Sequence, residues 1–387
     1  MRRWDQPLAA LAWLEDQSRS LSAGRWIGYL SYDLGRLFED LPSVATDDLG
    51  LPLFAFALLD GDAAETSSSP PGTRNYGANL PASRGSAGGS PSQKDASCSR
   101  EIAGSKKNIG DSNHPTHSTL AREQYLEAVR RVIDYIRAGD VFQVNLSQRF
   151  TVFLPQPASA VYARLLSTSP AWYGAYLNFG DYALICNSPE LFLSVAPDPP
   201  TGRRRAITCP IKGTRPRLPG MDRELRDSVK DQAELNMIVD LERNDLGRVC
   251  EIGTVKVTEP RVIESHPTVY HGAATIEGML RDDVGLVDLL RATFPGGSVT
   301  GAPKIRAMQI IDELEPVRRG PYCGAIGYLA PGGRIELNVA IRTMIVKDGL
   351  VHIPVGGGIV ADSDPAAEYE ETLVKARAMF AALGMNT

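Results

Sequence analysis

The amino-acid sequence predicts an α+β fold in which sheets and helices are stacked in layers. Segments with the alternation of strands and segments with the period of an amphipathic helix are interleaved along the chain. They do not follow the regular strand–helix–strand rhythm of a doubly wound parallel sheet, and we find no internal repeat. With 387 residues, of which 43% are hydrophobic, the chain can bury one large core or two smaller ones.

The predicted elements fall into three regions of the chain. Residues 1–64 contain two strand-like segments, 25–35 and 51–61, with turn residues between them. Residues 65–118 are rich in Ser, Gly, Pro and Lys and have few large apolar side chains, which predicts a disordered insert. Residues 119–387 form the main domain, in which every further element is predicted.

In the main domain the two periodicities separate helices from strands. Helical spacing of apolar residues predicts helices over 122–139, 222–249, 285–294, 302–315 and 364–380. Pro303 and Pro365 fit the first turns of the last two helices, and Asp364 fits an N-cap. Strands are predicted over 141–154, 183–195, 322–330, 334–346 and 349–361. In the first of these strands Phe142, Val144 and Leu146 alternate with Gln143, Asn145 and Ser147.

Composition excludes several classes of function. A formal net charge of −5 gives no long-range attraction to nucleic acid or to an anionic membrane. No apolar run reaches the roughly 18 residues of a membrane helix, and the start of the chain lacks the long apolar region of a signal peptide. The five cysteines are scattered without a CxxC pair, which excludes a disulfide framework and a thiolate zinc site. We therefore expect a cytoplasmic protein that binds neither nucleic acid nor membrane.

Two pairs of carboxylates are candidates for binding a divalent cation. Asp231 and Glu234 are three residues apart on a predicted helix, and Glu368 and Glu371 repeat this spacing on the last helix. If the pairs meet, their oxygens suit Mg²⁺, which keeps several waters and takes few carboxylates. Alternatively, both pairs lie on solvated helix faces where they pair with the nearby lysines, Lys230 and Lys375.

Other residues are candidates for binding an anion. Three consecutive glycines, Gly356, Gly357 and Gly358, leave their backbone N–H groups open to a close approach by an anion. The segment 297–304 is a loop that ends at the N-terminus of a predicted helix, where an anion is also favoured. Because neither has the lysine spacing of a nucleotide-binding loop, a small anionic substrate is favoured. Arg342 lies among apolar neighbours, where it binds either a substrate carboxylate or a structural acid. His271 is either a site residue or a core histidine with its hydrogen bonds satisfied.

The segment "CPIKGTRPR" places Lys212 in a stiff, cation-rich loop. Lysine is a nucleophile only when neutral, and its ordinary pKa is about 10.4. Burial and neighbouring cations, here Arg215, Arg217 and the arginines of 203–205, favour the neutral form. Lys212 is either such a nucleophile or a surface charge.

Cys323 and His266 do not fit a glutamine-hydrolysing triad. Tyr322 precedes the cysteine, where a glycine of a tight elbow is required, and His266 is followed by Pro267. We therefore find no glutaminase motif in the chain.

Together these segments resemble the chorismate-utilising enzymes, which include the component I subunits of anthranilate synthase and aminodeoxychorismate synthase and the isochorismate and salicylate synthases. The resemblance covers about 26–64 and 119 to the end. It rests on ordered motifs, among them "GYLSYDLGR", "NSPELF", "PIKGTRPR", "DQAELNMIVDLERNDLGRV", "FPGGSVTGAPKIRAMQIIDELE", "IELNVAIRT" and "GGGIVADSDPAAEYEETLVKA". It implies a single large sandwich of mostly antiparallel sheets with helices outside, and makes 119–387 the chorismate-binding catalytic domain.

The resemblance also implies roles for individual residues. Glu234 and Glu371 match the Mg²⁺ ligands, with Asp231 and Glu368 beside them. Glu190 matches the general acid/base that helps the C4 hydroxyl of chorismate to leave. The remaining matches line the substrate site: Gln143, Thr214, His271, Thr300, Tyr322, Arg342, Gly356, Gly357 and Gly358.

Two of the matched positions separate the subfamilies. Isochorismate and salicylate synthases have a water-activating lysine at the position of Gln143, so the glutamine disfavours those reactions. Anthranilate synthases typically have alanine at the position of Lys212, whereas aminodeoxychorismate synthases have the lysine, which resembles a nucleophile that attacks C2. The resemblance therefore implies that chorismate and ammonia yield 4-amino-4-deoxychorismate for p-aminobenzoate and folate synthesis.

Alternatives remain open at this point. One is anthranilate synthase component I. Another is a paralogue that binds chorismate without turnover, which the shortened N-terminal part of the fold, residues 1–64, favours. That short part also leaves a tryptophan pocket unplaced. Because the chain shows no glutaminase motif, we expect a separate glutamine amidotransferase subunit to deliver ammonia.

Overall fold

The computed structural model describes residues 4–59 and 117–385, which belong to one compact unit. Residues 60–116, and with them nearly all of the predicted insert, lie outside the described residues. His117 and Ser118, which we assigned to the insert, form a short strand instead. Among the described residues, no helix has both the length and the apolar character needed to cross a bilayer.

Eight α-helices are described. They are α1 (Pro7–Ser20), α2 (Arg122–Arg137), α3 (Ala158–Thr168), α4 (Met221–Asp227), α5 (Val229–Gly247), α6 (Leu286–Thr293), α7 (Lys304–Leu314) and α8 (Pro365–Ala382). The prediction missed α1 and α3, and it joined α4 and α5, which separate at Ser228. The Ser228 hydroxyl accepts a hydrogen bond from Asp231 N and so caps α5. Asp364 caps α8 as predicted, whereas Pro303 is the N-cap residue of α7 and not part of its first turn.

Sixteen strands are described, and every strand pair within the sheets is antiparallel. In chain order they are β1 (Arg25–Leu30), β2 (Phe54–Leu59), β3 (His117–Ser118), β4 (Gln143–Phe153), β5 (Tyr173–Asn178), β6 (Tyr182–Ser188), β7 (Leu191–Pro197), β8 (Arg204–Cys209), β9 (Ile211–Pro216), β10 (Lys256–Ser265), β11 (Val269–Met279), β12 (Gly301–Ala302), β13 (Ala325–Ala330), β14 (Arg334–Val339), β15 (Thr343–Lys347) and β16 (Leu350–Ile359).

These strands form two sheets. The nine-stranded sheet has the order β10-β11-β8-β7-β14-β13-β1-β2, with β9 also paired to β11. The seven-stranded sheet has the order β12-β4-β16-β15-β6-β5, with β3 paired to β4. A core that includes Tyr29, Ile326, Leu184 and Ile345 joins the two sheets face to face. The predicted α+β sandwich of antiparallel sheets is confirmed.

Helices cover the outer faces of both sheets. On the nine-stranded sheet, the buried core combines side chains of α1, α5 and α6 with those of β7, β11 and β13. On the seven-stranded sheet, α3 and α8 pack over β4, β6, β15 and β16, while α2 and α7 pack over the start of β4. Phe142, predicted to share a face with Val144 and Leu146, precedes β4 and is exposed.

The chain crosses between the sheets at two breaks that the prediction placed inside single strands. The segment 183–195 divides into β6 and β7, and 334–346 divides into β14 and β15, with the two halves in different sheets in each case. Glu190 lies in the first break and Arg342 in the second. The sandwich therefore brings two candidate site residues to the places where its sheets exchange strands.

Candidate active site

Lys212 lies on β9, which pairs with β11, so the predicted loop is in fact a strand. Gly213 follows it with a φ of 80°, and a Cβ at this glycine would lie 2.6 Å from Leu225 Cδ1 and 2.9 Å from Asp231 Cγ. The lysine is thus held on a strand that packs tightly against α4 and α5. Only glycine fits the next position without displacing them.

The pKa of the Lys212 amine lies below its ordinary value. Burial is the main cause, and the positive charge of Lys375 adds to it, while Glu234, Glu190 and Glu371 oppose it. Of the arginines predicted to supply positive charge, Arg215 is paired with Glu224 and Asp231. The neighbouring cation is on α8 and comes from a distant part of the sequence.

Glu190 is 4% exposed and its carboxyl group lies against β9 and the segment before β12. It accepts hydrogen bonds from the Ser298 hydroxyl and from the backbone N–H of Ile211. Burial raises its pKa to about 7, although these hydrogen bonds and the charge of Lys212 counteract the rise. A carboxyl group of this kind can hold a proton near neutral pH and can release it during a reaction.

The four candidate cation ligands come from α5 and α8. Asp231 accepts a hydrogen bond from Arg215 at 2.9 Å, and Glu368 accepts one from the Ser363 hydroxyl at 2.6 Å. Burial raises the pKa values of Glu234 and Glu368. Burial also acts to raise the pKa of Glu371, but Lys375 and Lys212 outweigh it, so that this pKa lies below its ordinary value.

Lys375 also belongs to this cluster. From the sequence we predicted it only as a lysine that could pair with the carboxylates on a solvated helix face. Its ammonium group lies 2.6 Å from Glu371 and donates a hydrogen bond to the Gly356 carbonyl at 2.8 Å. The only signal for it in the sequence is its spacing of four residues from Glu371 on one helix face. Lys230 and Glu234 form the second predicted pair, at 3.9 Å.

The predicted magnesium ligands can be compared with the arrangement of the carboxylates. No group of three or more His, Cys, Asp or Glu side chains is placed to hold a metal ion within 4–59 and 117–385. Glu234 and Glu371 nevertheless interact electrostatically with each other and with Lys212. Since Mg²⁺ is usually bound by one or two carboxylates together with water and substrate oxygens, these two residues are chemically suited to it.

Arg342 and Tyr322 lie beside this cluster. Arg342 has a φ of 49°, and its Nη1 donates a hydrogen bond to the Lys375 carbonyl at 3.2 Å. Burial lowers the pKa of Arg342, against the influence of Tyr322 and Glu371. The guanidinium group has no carboxylate within salt-bridge distance among the described residues, which leaves it suited to a carboxylate of a ligand.

His271 and Thr214 face each other across β11 and β9, with 2.9 Å between His271 Nδ1 and Thr214 Oγ1. Burial, with added repulsion from His266 and Arg342, lowers the pKa of His271 to about 3, so the ring is neutral. Thr300 is fully buried, and its hydroxyl donates to the Gly296 carbonyl at 3.0 Å. The Thr300 hydroxyl therefore already serves to hold the backbone of its own loop.

Gly356, Gly357 and Gly358 lie within β16 and pair with Ser147, Leu146 and Asn145 of β4. Pairing of β16 with β15 ends at His352, so the glycines are beyond the β15 ladder. A Cβ at Gly357 would lie 3.2 Å from Glu368 Oε2, and one at Gly358 would lie 3.1 Å from the Gln143 amide. The absent side chains let the carboxylates and the amide approach the strand backbone.

Cys323 and His266 are not arranged as a nucleophile and its base. Burial raises the pKa of the Cys323 thiol to about 12, which keeps it protonated. His266 lies against the Trp172 ring, with ring centroids 4.3 Å apart.

The fold and this site define a chorismate-utilising enzyme. Residues 3–381 match the chorismate binding enzyme family, and the chain belongs to that family. The sequence is similar to anthranilate synthase component 1 of Thermus thermophilus, with 41% identity over 94% of this chain and 78% of that protein. It is also similar to aminodeoxychorismate synthase component 1 of Escherichia coli, with 39% identity over 91% of this chain and 75% of that protein.

A solved structure supports the same assignment. The crystal structure of anthranilate synthase component I from Streptococcus pneumoniae matches with a TM-score of 0.75 and 30% identity, covering 98% of this chain and 86% of that chain. The family resemblance drawn from the sequence motifs is therefore confirmed. The names of these relatives divide between two reactions of chorismate.

Proposed function

We propose that the chain is an aminodeoxychorismate synthase component I, which converts chorismate and ammonia to 4-amino-4-deoxychorismate. The observation that supports this best is Lys212, a lysine with a lowered pKa that interacts with Glu190 and with the carboxylates of α5 and α8. A nucleophilic amine next to a proton donor is what substitution at C4 through a covalent intermediate requires. Direct attack of ammonia at C2 needs no such lysine.

The proposed reaction consists of two allylic displacements. In the first, the neutral Lys212 amine forms a bond to C2, the ring double bonds shift, and the C4 hydroxyl takes the proton of Glu190 and leaves as water. In the second, the lone pair of ammonia forms a bond to C4, the double bonds shift back, and the bond between C2 and Lys212 breaks. Lys212 leaves as a neutral amine, and the new C4 ammonium group can return a proton to the Glu190 carboxylate.

Other residues bind the substrate in this proposal. Arg342, Tyr322 and the backbone of Gly356–Gly358 hold the enolpyruvyl carboxylate, and the neutral His271 lies on the ring side. Glu234 and Glu371 hold Mg²⁺, with Asp231 and Glu368 close by. When bound, the ion neutralises the ring carboxylate of chorismate.

The proposed source of ammonia is a separate glutamine amidotransferase subunit. The relatives are named as first components, which supports a second component. The buried, protonated thiol of Cys323 is unsuited to glutamine hydrolysis. We expect the chain alone to use ammonium salts and to be inactive with glutamine, and glutamine-dependent turnover by the lone chain would contradict this assignment.

The test is to identify the product by mass. Purified chain is incubated with chorismate, Mg²⁺ and ammonium, and we expect 4-amino-4-deoxychorismate. Lys212→Ala should reduce its formation about a thousandfold, which corresponds to about 4 kcal/mol of the barrier. Lys256→Ala, which removes an exposed lysine on β10, is the control and should leave the rate unchanged. If Lys212→Ala forms the product at the wild-type rate, the nucleophile is wrongly assigned.

A second candidate is anthranilate synthase component I, which the names of the Thermus thermophilus relative and of the solved Streptococcus pneumoniae structure favour. Anthranilate is fluorescent, so its appearance without an added lyase would support this second function over the first.

A further inference from the structure

The strand β9 contains a bulge where it pairs with β11. Thr214 lies opposite His271, and Ile211 lies opposite Ala273. Two residues of β9 therefore face a single residue of β11 between these pairs, which is the arrangement of a β-bulge. A bulge bends its strand and changes the direction of the side chains beside it. The simple alternation of a strand therefore does not decide where the two inserted residues point.

The two inserted residues are Lys212 and Gly213, and the residue that faces them is Gly272. A Cβ at Gly272 would lie 2.6 Å from the backbone carbonyl oxygen of Lys212, which is too close for non-bonded atoms. The next residue along the bulge, Gly213, is bound through its backbone by the ring of His271. The absence of a side chain at Gly272 thus lets the backbone of Lys212 lie directly on β11.

The surroundings of Gly272 decide which strand would move if a side chain were added. On its other side, Gly272 pairs with Ile263 of β10, so that β11 is held between two strands. By contrast, β9 pairs with β11 and with no other strand in the part of the chain that the structure describes. An added side chain would therefore displace β9, and with it Lys212.

We propose that Gly272 is a positioning residue that holds Lys212 in the direction that its reaction requires. Because no side chain stands at Gly272, the bulge of β9 lies against β11 and directs the lysine into the cluster of charged residues. There the amine interacts electrostatically with Glu190 and with the carboxylates of α5 and α8. This inference rests on the proposed function for the role of Lys212 as the nucleophile.

The test uses Gly272→Ala, which adds a single methyl group. We expect kcat to fall about 100-fold, since misplacing a reacting group by about 1 Å has an effect of this size. The KM for chorismate should stay within about threefold, because the groups proposed to bind its carboxylates lie on other elements. A crystal structure of the variant should show the Lys212 carbonyl moved away until its distance from the new methyl group reaches about 3.4 Å.

A double variant separates positioning of the lysine from a general structural effect. If Gly272 acts through Lys212, adding Gly272→Ala to Lys212→Ala should leave the residual rate of Lys212→Ala unchanged. A residue that only supports the fold would lower this residual rate as well, and that result would overturn the proposal.

Gly278→Ala is the matched control on the same strand. A Cβ at Gly278 would also be too close to its surroundings, at 2.7 Å from the sulfur of Cys250, but Gly278 pairs with Ala206 of β8 and not with β9. Its added methyl group should lower Tm by overpacking and leave kcat unchanged. An equal loss of kcat in Gly278→Ala and Gly272→Ala would contradict the proposal.

The remaining outcomes are also decisive. A wild-type kcat in Gly272→Ala would overturn the proposal. If Gly272→Ala does not fold, β9 does not yield at this position and the proposal is wrong. The product is identified in the same reactions. If it is anthranilate, the proposed function fails, while the position of the Lys212 carbonyl in the crystal structure still decides whether Gly272 sets the bulge.

Discussion

At the residue scale, Lys212 and Glu190 have pKa values that are displaced toward each other. Burial lowers the pKa of the lysine and raises that of the glutamate to about 7. The same low-dielectric surroundings thus favour a neutral amine and a protonated carboxyl side by side. This combination supports the proposed roles of Lys212 as a nucleophile and Glu190 as an acid in one reaction.

The pKa of Glu190 predicts how the rate depends on pH. A general acid must be protonated, so the ionisation of Glu190 should make kcat/KM fall as pH rises through about 7. Glu190→Gln should lower kcat/KM by about 100-fold or more and remove this alkaline decline, because glutamine does not titrate. The measurement is a pH–rate profile with chorismate and a constant concentration of free ammonia. An alkaline decline of the same midpoint in Glu190→Gln would assign that ionisation to another group.

Glu242 is a second buried acid, and it affects stability. Its carboxyl accepts a hydrogen bond from Thr208 at 2.8 Å, and burial, with repulsion from Glu190 and Asp245, raises its pKa from 4.5 to about 8. Between these two values the unfolded chain releases a proton that the folded chain keeps. Stability from this group is therefore complete below about pH 4.5 and declines as pH rises toward 8.

Glu242→Gln should remove this decline while its amide oxygen still accepts the Thr208 hydrogen bond. We expect the variant to exceed the wild type in the free energy of unfolding at pH 9 by a few kcal/mol, on the order of 1.4 kcal/mol per unit of pKa shift. At pH 5 the difference should be small. Asp240→Asn, on the exposed face of the same helix, is the control in urea denaturation at both pH values. A difference that does not depend on pH would mean that Glu242 is ionised in the folded protein.

Sequence patterns predicted which charged residues would meet but not how their charges are set. Lys212, Glu190 and the carboxylates of α5 and α8 stand in motifs, and in the structure they interact electrostatically. The cation next to Lys212 could not be predicted, because Lys375 reaches it only through the packing of α8 against β16. Glu242 lacks any pattern that distinguishes it from an exposed helical glutamate.

At the scale of elements, the glycines of β16 let β4 and α8 approach the site. Gly358→Ala should place a methyl group 3.1 Å from the Gln143 amide and displace it. We expect kcat/KM for chorismate amination to fall about tenfold, since one misplaced polar group has an effect of about 1.4 kcal/mol. Gly174→Ala on β5 is the control, because its Cβ would meet ordinary contacts of 3.4 Å or more. Equal effects of the two substitutions on activity would indicate a general loss of structure.

The strand and helix patterns predicted most elements of the main domain, but they did not predict where strands change sheets. The segments 183–195 and 334–346 are continuous in hydrophobicity, so alternation alone extends each of them as one strand. Each break occurs because the two halves of the segment join different sheets. β6 and β15 belong to the seven-stranded sheet, whereas β7 and β14 belong to the nine-stranded sheet. Such non-local pairing leaves no mark in a short window of sequence.

At the scale of the whole molecule, the proposed cation ligands come from opposite halves of the sandwich. α5 packs on β9, β10 and β11 of the nine-stranded sheet, whereas α8 packs on β16 of the seven-stranded sheet. An ion held by Glu234 and Glu371 would therefore connect the two halves. Its binding should stabilise the whole fold and not only a local loop.

This predicts a thermal shift that depends on both carboxylates. At Mg²⁺ and chorismate concentrations near 100 times their dissociation constants, binding of one ligand adds about 2.7 kcal/mol, which should raise Tm by about 3 °C in a chain of this size. Glu234→Gln and Glu371→Gln should each abolish the part of the shift that EDTA removes. Asp240→Asn, on the exposed face of α5, should retain it. Because the readout is the stability of the protein and not turnover, it tests the cation site independently of the reaction, and an EDTA-insensitive shift in the wild type would exclude magnesium from this position.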